Sequence, residues 1–430
     1  MKIFYLVTGS GGSFYCGNCY RDMLYLRAMK KVPGVDARAI PLYLPPDADS
    51  TGNGFEKTVF FGAISLYLRE KVRLFKNMPS FMDKILDSGP LLSIAARQAG
   101  ATRTEGMEEL TLNMISGGTA FRARETDRLV KYLTQEGAPQ VIHLSNALIV
   151  GLARHLKKRM DVRIVCSILN EDDWIDEMAE PYRSRAWKMI AAEASSVDLF
   201  ITPSKYYRDL FISRTGIDVS LISVVPLGYD PEEGPSEKSN ERAPAVGYFS
   251  RVSHLNGFDK LVDAFIMIKS SGQIQDLTLH VCGGFTGDDK PFVVSQIKKI
   301  KDNGFGNSVK IYPEFSGNKK HEFFGNVDII SVPVRKHDGY GLYILEANSA
   351  GVPVVQPATG AFPEILKMTG GGLTYFPDTT EELSATLVNA FKNADARKKM
   401  AEEGISGVKN ELSLDRMAER LALAYNGLKI

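Results

Sequence analysis

An α/β protein made of two doubly wound parallel-sheet domains is the fold this sequence predicts. Three observations carry the prediction. The chain has 430 residues, more than the roughly 250 to 300 that one hydrophobic core usually supports. Short apolar or β-branched runs alternate with longer helical patterns in both halves, the rhythm of strands joined by right-handed helical crossovers. Between the two series lies "GYDPEEGPSEKSNERAP", rich in Pro and Gly and nearly free of apolar residues, which reads as a linker.

The elements follow in order. "KIFYLVT" is the first strand and a helix begins near Asn18; "ARAIPLY", "QVIHLS", "RIVCSIL", "LFITPS" and "LISVVPL" continue the first series. "AVGYFS", "LTLHVCGG", "VKIYPE", "VDIISVPV" and "GVPVVQP" form the second. The boundaries this gives are 1–227 for the first domain, 228–243 for the linker and 244–412 for the second domain. A last amphipathic helix over 413–430 has a face that suits either domain. The rhythm breaks between about 45 and 118, where "FFGAISLYLREKVRLF", "SFMDKILDSGPLLSIAARQ" and "GMEELTLNMI" space their apolar residues helically. This helical insertion reads as a cap on the first domain's core; the sharper alternative is a helix that meets a partner or a membrane surface.

Composition excludes several classes. With 44% hydrophobic and 24% charged residues the chain suits well-packed globular domains. Lysine and arginine total 52 against 51 aspartate and glutamate, a formal charge of +1, so charge gives no argument for nucleic acid. The opening "MKIFYLVTGSGG" has too short an apolar run for a secretory signal, and no stretch approaches the ~18 apolar residues of a membrane span. Four cysteines make no disulfide framework in a chain this long, and the cytoplasm is the expected compartment. "CGNC", Cys16 to Cys19, lacks the second pair that zinc would want, so it reads as small residues packing the first loop against its helix.

In open parallel sheets, ligands settle beyond the carboxyl ends of strands, where helix N-termini favour phosphate. One such loop is "TGSGGSFYCGN", whose Gly11 and Gly12 permit close approach of a ligand. It is no dinucleotide fingerprint, because Phe14 stands where Gly is needed and no acidic residue ends the second strand. It is no Walker loop either, lacking Gly-Lys-Ser/Thr. The other is "HDGYGLYILEANSAGVPVV", residues 337–355. A helix starting near Gly341 would aim its first amides at an anion, with Asp338 in the loop before it and Glu346 on its second turn. Two carboxylates beside a phosphate pocket suit a ligand carrying a ribose and a second polyol. In the bland alternative, Asp338 caps the helix and Glu346 forms a surface pair.

That segment resembles the signature of glycosyltransferase family 4, retaining enzymes of the GT-B fold, in which two carboxylates eight positions apart precede a small-residue, Gly, x, Pro, Val, Val tail. "VGYFSRVSHLNGFDKLVDAF", "LTLHVCGG" and "ATGAFPEIL" are similar to the rest of the family's second domain, and "VIHLSN", "DLFITPSKYYRDLF" and "VVPLGYD" to its first. The resemblance implies two Rossmann-like domains facing a cleft, a nucleoside-diphosphate sugar such as a UDP- or GDP-sugar as donor, and a carbohydrate, lipid-linked or small-molecule acceptor. No metal or cofactor is implied. Glu346 would bind the ribose and Asp338 the sugar hydroxyls, while the amides of Tyr340, Gly341 and Leu342 would meet the phosphates. Arg251 would neutralise the leaving diphosphate, and Gly11 and Gly12 would close the donor site from the first domain.

Three departures from the family pattern stand out. Asp338 replaces the usual Glu, and Asn256 stands where Lys is usual in "RVSHLNG". After "RIVCSIL" the chain continues "LNEDDW", with Leu169 and Asn170 in place of the usual His. Asp172 in that run is a candidate for orienting an acceptor hydroxyl, with Asn170 and His143, which ends the neighbouring strand, also assigned to the acceptor side; the alternatives are that the acidic run caps the helix containing "WIDEM" and that His143 is a satisfied histidine at the sheet's edge. The leading expectation is a metal-independent retaining glycosyltransferase with Asp338, Arg251 and Asp172 nearest the chemistry. The competing one is a silent nucleotide-sugar-binding protein of the same fold.

Overall fold

The structure is a computed structural model that describes residues 1–8, 17–42, 106–117, 120–230, 242–313 and 315–428, without the side chains of 120–125. The chain divides into two compact units, residues 1–226 with 417–430 and residues 227–416. Gly11, Gly12 and most of the expected insertion lie outside the described residues, as does 231–241 of the expected linker. The last segment of the insertion forms the helix Glu108–Ser116.

The first unit is built on six strands, β1 (Lys2–Val7), β2 (Asp36–Pro41), β3 (Val141–Leu144), β4 (Arg163–Ser167), β5 (Leu199–Thr202) and β6 (Ile222–Val224). All pair in parallel, in the order β2-β1-β3-β4-β5-β6. Parallel strands covered on both faces need nearly continuous apolar runs; β3 and β5 are buried along their whole length. The C-terminal helix Leu414–Asn426 joins this unit from Met417 onward. There the Tyr425 hydroxyl meets that of Tyr5 on β1 at 2.9 Å.

The second unit repeats the plan with β7 (Ala245–Phe249), β8 (Thr278–Cys282), β9 (Val309–Tyr312), β10 (Ile329–Ile330), β11 (Val354–Pro357) and β12 (Gly372–Tyr375). Their order is β12-β11-β10-β7-β8-β9, again all parallel. The strand order reverses between β7 and β10, which pair through Ile329 with Val246 and Ile330 with Gly247. β12 was not among the strands expected from sequence. It is a four-residue edge strand with its middle residues exposed, so it carries little apolar signal. Among the described residues no helix is long and apolar enough to cross a membrane.

Candidate active site

A doubly wound sheet opens a crevice where its strand order reverses. In the second unit that point lies at the carboxyl ends of β7 and β10, and the loops that leave these two strands carry Arg251 and Asp338. Arg251 grips Asp289 with two hydrogen bonds, Nε to Oδ2 at 2.9 Å and Nη2 to Oδ1 at 3.1 Å. Asp289 also accepts the Thr286 hydroxyl at 2.7 Å and the Thr286 amide at 3.1 Å. Burial opposes the charge on Asp289, but the bonds from Arg251 and Thr286 outweigh it and hold the carboxyl below its usual range.

Asn256 turns back into its own loop. Its Nδ2 donates to the Arg251 carbonyl at 3.0 Å and to Ser250 Oγ at 3.2 Å. The Tyr248 hydroxyl donates to the same Arg251 carbonyl at 2.9 Å. The next residue, Gly257, has φ +69°, and a Cβ there would lie 1.8 Å from the Pro333 carbonyl oxygen. Only glycine lets the loop after β7 come so close to the chain leaving β10. Asn256 therefore staples the loop that presents Arg251, in the place where the family's lysine would supply charge.

Asp338 Oδ1 accepts the Tyr340 amide at 2.9 Å and the Gly341 amide at 3.2 Å. Two of the amides assigned to phosphate are thus turned to this carboxylate, and Asp338 organises the turn before the helix instead of capping the helix itself, whose N-cap is Leu342. The backbone of Asp338 is pinned as well, its carbonyl accepting the Ala361 amide at 3.0 Å. Gly360, at φ +58°, leaves room for that contact; a Cβ there would lie 2.4 Å from the Asp338 carbonyl oxygen. The helix that follows is Tyr343–Ser349, starting later than Gly341 and bringing Glu346 into its first turn.

Glu346 is 2% exposed and receives Lys320 Nζ at 3.2 Å on Oε1. Lys320 lies on the helix Gly317–Gly325, and its Nζ is also 3.3 Å from the Tyr229 hydroxyl. Reading the sequence for signatures missed Lys320, because it is one of two adjacent lysines on a polar helix and nothing local ties it to Glu346. The surface-pair reading of Glu346 has the pair right and the surface wrong.

The residues expected on the acceptor side belong to the first unit, and for His143 the structure favours the alternative of a satisfied core histidine. His143 is buried in β3, with Nδ1 2.6 Å from the Tyr425 hydroxyl and Nε2 2.7 Å from Ser167 Oγ. Burial, reinforced by the positive charge of Arg21, holds its pKa well below the ordinary histidine value. Both ring nitrogens are committed inside the sheet, so His143 builds the core and offers no nitrogen to an acceptor. Asn170 adopts a left-handed conformation, φ +61°, and leads into the helix Glu171–Ile175, on which Asp172 is half-buried.

The residue that sequence reading missed in this run is Glu171. It is buried and accepts the Ala147 amide at 3.0 Å, the Leu169 amide at 2.9 Å and the Tyr207 hydroxyl at 2.7 Å. Arg21 is fully buried too, with Nη2 2.8 Å from Asp22 Oδ1 and a further bond to the Ser145 carbonyl. Cys19 is disulfide-bonded, so it is more than the small packing residue expected, whereas Cys166 and Cys282 are buried and in no disulfide. Among the described residues no group of three or more His, Cys, Asp or Glu is arranged to hold a metal ion.

Two family models match, Glycosyltransferase Family 4 over residues 109–233 and Glycosyl transferases group 1 over residues 230–406. The chain is 24% identical to a D-inositol 3-phosphate glycosyltransferase of Actinosynnema mirum, over 55% of this chain and 58% of that one. It is 28% identical to the lipopolysaccharide core biosynthesis mannosyltransferase LpsB of Rhizobium meliloti, over 43% of this chain and 51% of that one. The chain spans about half the length of the curated relatives it matches. Among solved structures, Anabaena HepE in complex with UDP and glucose superposes with a TM-score of 0.71 at 15% identity, over the whole of both chains. Sucrose-phosphate synthase from Thermosynechococcus elongatus does so with a TM-score of 0.71 at 14% identity, over 99% of this chain and 98% of that one. At such identities the likeness is one of fold, the GT-B fold of two parallel-sheet units. With the two models running unbroken from residue 109 to residue 406, the chain belongs to the group 1, family 4 glycosyltransferases.

Proposed function

We propose that this protein is a retaining glycosyltransferase that moves a sugar from a nucleoside-diphosphate sugar to an acceptor hydroxyl without a metal ion. The observation that carries the reading is the placement of Arg251 and Asp338 on the two loops that leave the reversal point of the second sheet, with buried Glu346 in the helix that follows. HepE, of the same fold, is described with UDP and glucose; the relatives are named for glycosyl transfer to D-inositol 3-phosphate, to the lipopolysaccharide core and, from GDP-mannose, to phosphatidylinositol monomannoside. The donor is therefore a UDP- or GDP-sugar, and the acceptor a carbohydrate, a glycolipid or a small polyol.

In this reading Glu346 accepts the ribose hydroxyls and Asp338 faces the sugar. Departure of the diphosphate breaks the bond between the anomeric carbon and the phosphate oxygen, and the acceptor hydroxyl attacks the same face. Its proton passes to the departing phosphate oxygen, so no separate base is required. Arg251, held in place by Asp289, meets the negative charge that develops on the leaving group; preorganised charge of this kind is usually the largest single contribution to such a step. Asp172 and Asn170, at the carboxyl end of β4, are assigned to the acceptor side.

A second reading, a silent nucleotide-sugar-binding protein, is favoured by one observation: Asn256 spends its amide on its own loop and adds no charge for the diphosphate. The experiment that separates the two is incubation with UDP- and GDP-sugars, following nucleoside diphosphate release and the anomeric configuration of the product by NMR. Sustained release with the donor's configuration kept supports transfer. Inverted product contradicts retention, and binding without release makes the protein the silent relative.

A further inference from the structure

The assignment of Glu346 to the ribose leaves one cation beside it without a role. A carboxylate as deeply buried as Glu346 needs a partner, because desolvation costs more than an uncompensated charge can return. Lys320 supplies it from a separate helix. Its ammonium lies 3.2 Å from Glu346 Oε1 and 3.3 Å from the Tyr229 hydroxyl, and it sits 5.6 Å above the centre of the Tyr229 ring. Tyr229 is itself buried and tied down, its amide donating to the Leu412 carbonyl at 2.8 Å. A flexible lysine is thus held by an aromatic face, a hydroxyl and a carboxylate, while its side chain stays 22% exposed.

The pair belongs to the same sheet edge as Arg251. The thiol of Cys282, the last residue of β8, is pushed up by burial and by the charge of Glu346, and is drawn down by Lys320, so both charges lie near that strand end. The next residue, Gly283, is packed so tightly that a Cβ would lie 2.1 Å from the Ser250 carbonyl oxygen, one residue before Arg251. An ammonium on Oε1 restricts the rotation of the Glu346 carboxylate. A carboxylate with a fixed plane can accept a vicinal diol; one that rotates spends part of the binding free energy on being ordered.

We propose that Lys320 is a positioning residue of the donor site, which orients Glu346 toward the ribose hydroxyls and so sets the preference for ribonucleotides over deoxyribonucleotides. The inference rests on the reading of Glu346 given above. It makes Lys320 part of nucleotide selection at a place the family signature does not mark.

The test is calorimetric binding of UDP, GDP and their 2′-deoxy forms to the unmodified protein, to Lys320→Met, to Glu346→Gln and to the double variant. The unmodified protein should prefer the better ribonucleotide over its deoxy form by about tenfold or more, the weight of a charge-assisted hydrogen bond. Lys320→Met should lose most of that preference while binding the deoxy form about as well as before. Adding Lys320→Met to Glu346→Gln should change nothing further, and Lys320→Arg, which keeps the charge, should retain part of the preference. Equal weakening of both forms in Lys320→Met, or a preference left intact, overturns the inference even if the methionine variant needs the arginine one as its folded control. A preference that survives Glu346→Gln as well, or its absence from the unmodified protein, overturns instead the assignment of Glu346 to the ribose.

Discussion

Each unit keeps a buried glutamate at the head of a short helix, and the two are satisfied in opposite ways. Glu171, 3% exposed in the first unit, accepts two backbone amides and a buried tyrosine hydroxyl. Glu346, 2% exposed in the second, takes a lysine whose side chain reaches solvent. The arginines repeat the contrast. Arg21 is enclosed by Asp22 and Ser145, whereas Arg251 holds Asp289 from a partly exposed loop. The donors to Glu171 are closed in the core, whereas the donor to Glu346 stands where solvent, and so a ligand, can reach it. Burial of a charged residue is therefore no guide to function by itself; the exposure of its partner is the better one.

The largest effect is expected from removing Glu171, whose partners are closed in the core. Glu171→Ala strands the Ala147 and Leu169 amides and the Tyr207 hydroxyl in the core, each worth about 1 to 3 kcal/mol. Unfolding by denaturant should show a loss of about 3 to 6 kcal/mol, with the donor affinity of the folded protein unchanged. A mild effect on stability together with lost donor binding would reverse the roles assigned to the two glutamates.

Next in size is the partly exposed Arg251. Arg251→Ala should lower transfer by about 10² to 10³, the usual cost of removing one preorganised donor to a developing anion. Its effect on the denaturation midpoint should be small, and measuring both on one preparation checks the contrast with Arg21 directly. Asp289→Asn, which keeps the shape but weakens the grip on Arg251, should cost less, about tenfold in rate. No change in rate would remove Asp289 from the account.

The smallest effect expected is on pH dependence. The folded state holds His143 neutral, its pKa pushed well below 6.5 by burial and Arg21, so the unfolded chain binds the proton first. The stability His143 contributes is complete above about pH 6.5 and is lost as the pH falls, at up to about 1.4 kcal/mol per pH unit. Burial raises the Glu171 and Asp22 carboxyls, which therefore act in the opposite sense. The difference between the unmodified protein and His143→Gln between pH 6.5 and 5 isolates the histidine. Identical slopes in the two proteins would mean that His143 is not held neutral.

Much of this was legible in the sequence because it rests on local pattern. Eleven strand segments follow from runs such as "QVIHLS" and "VDIISVPV", and the family from the spacing of Asp338 and Glu346. β12 escaped because an exposed edge strand has no core face to advertise. His143 stayed open between an acceptor-side role and a satisfied histidine because its partners, Ser167 and Tyr425, are 24 and 282 residues away. Lys320 was invisible for the same reason, standing 26 residues from Glu346. Long-range pairing of single polar side chains leaves no periodic trace, and these pairs separate the charged groups closed in the core from those whose partners reach solvent.

The central claim is that Glu346 holds the donor nucleotide. Its most direct test is the thermal midpoint and calorimetric affinity of the unmodified protein and of Glu346→Ala with a panel of nucleoside diphosphates and their sugars. A ligand at 100 times its dissociation constant adds about 2.7 kcal/mol to the folded state, enough to raise the midpoint by several degrees. One nucleotide should stabilise the unmodified protein and leave Glu346→Ala unmoved. Full affinity retained in Glu346→Ala would contradict the account.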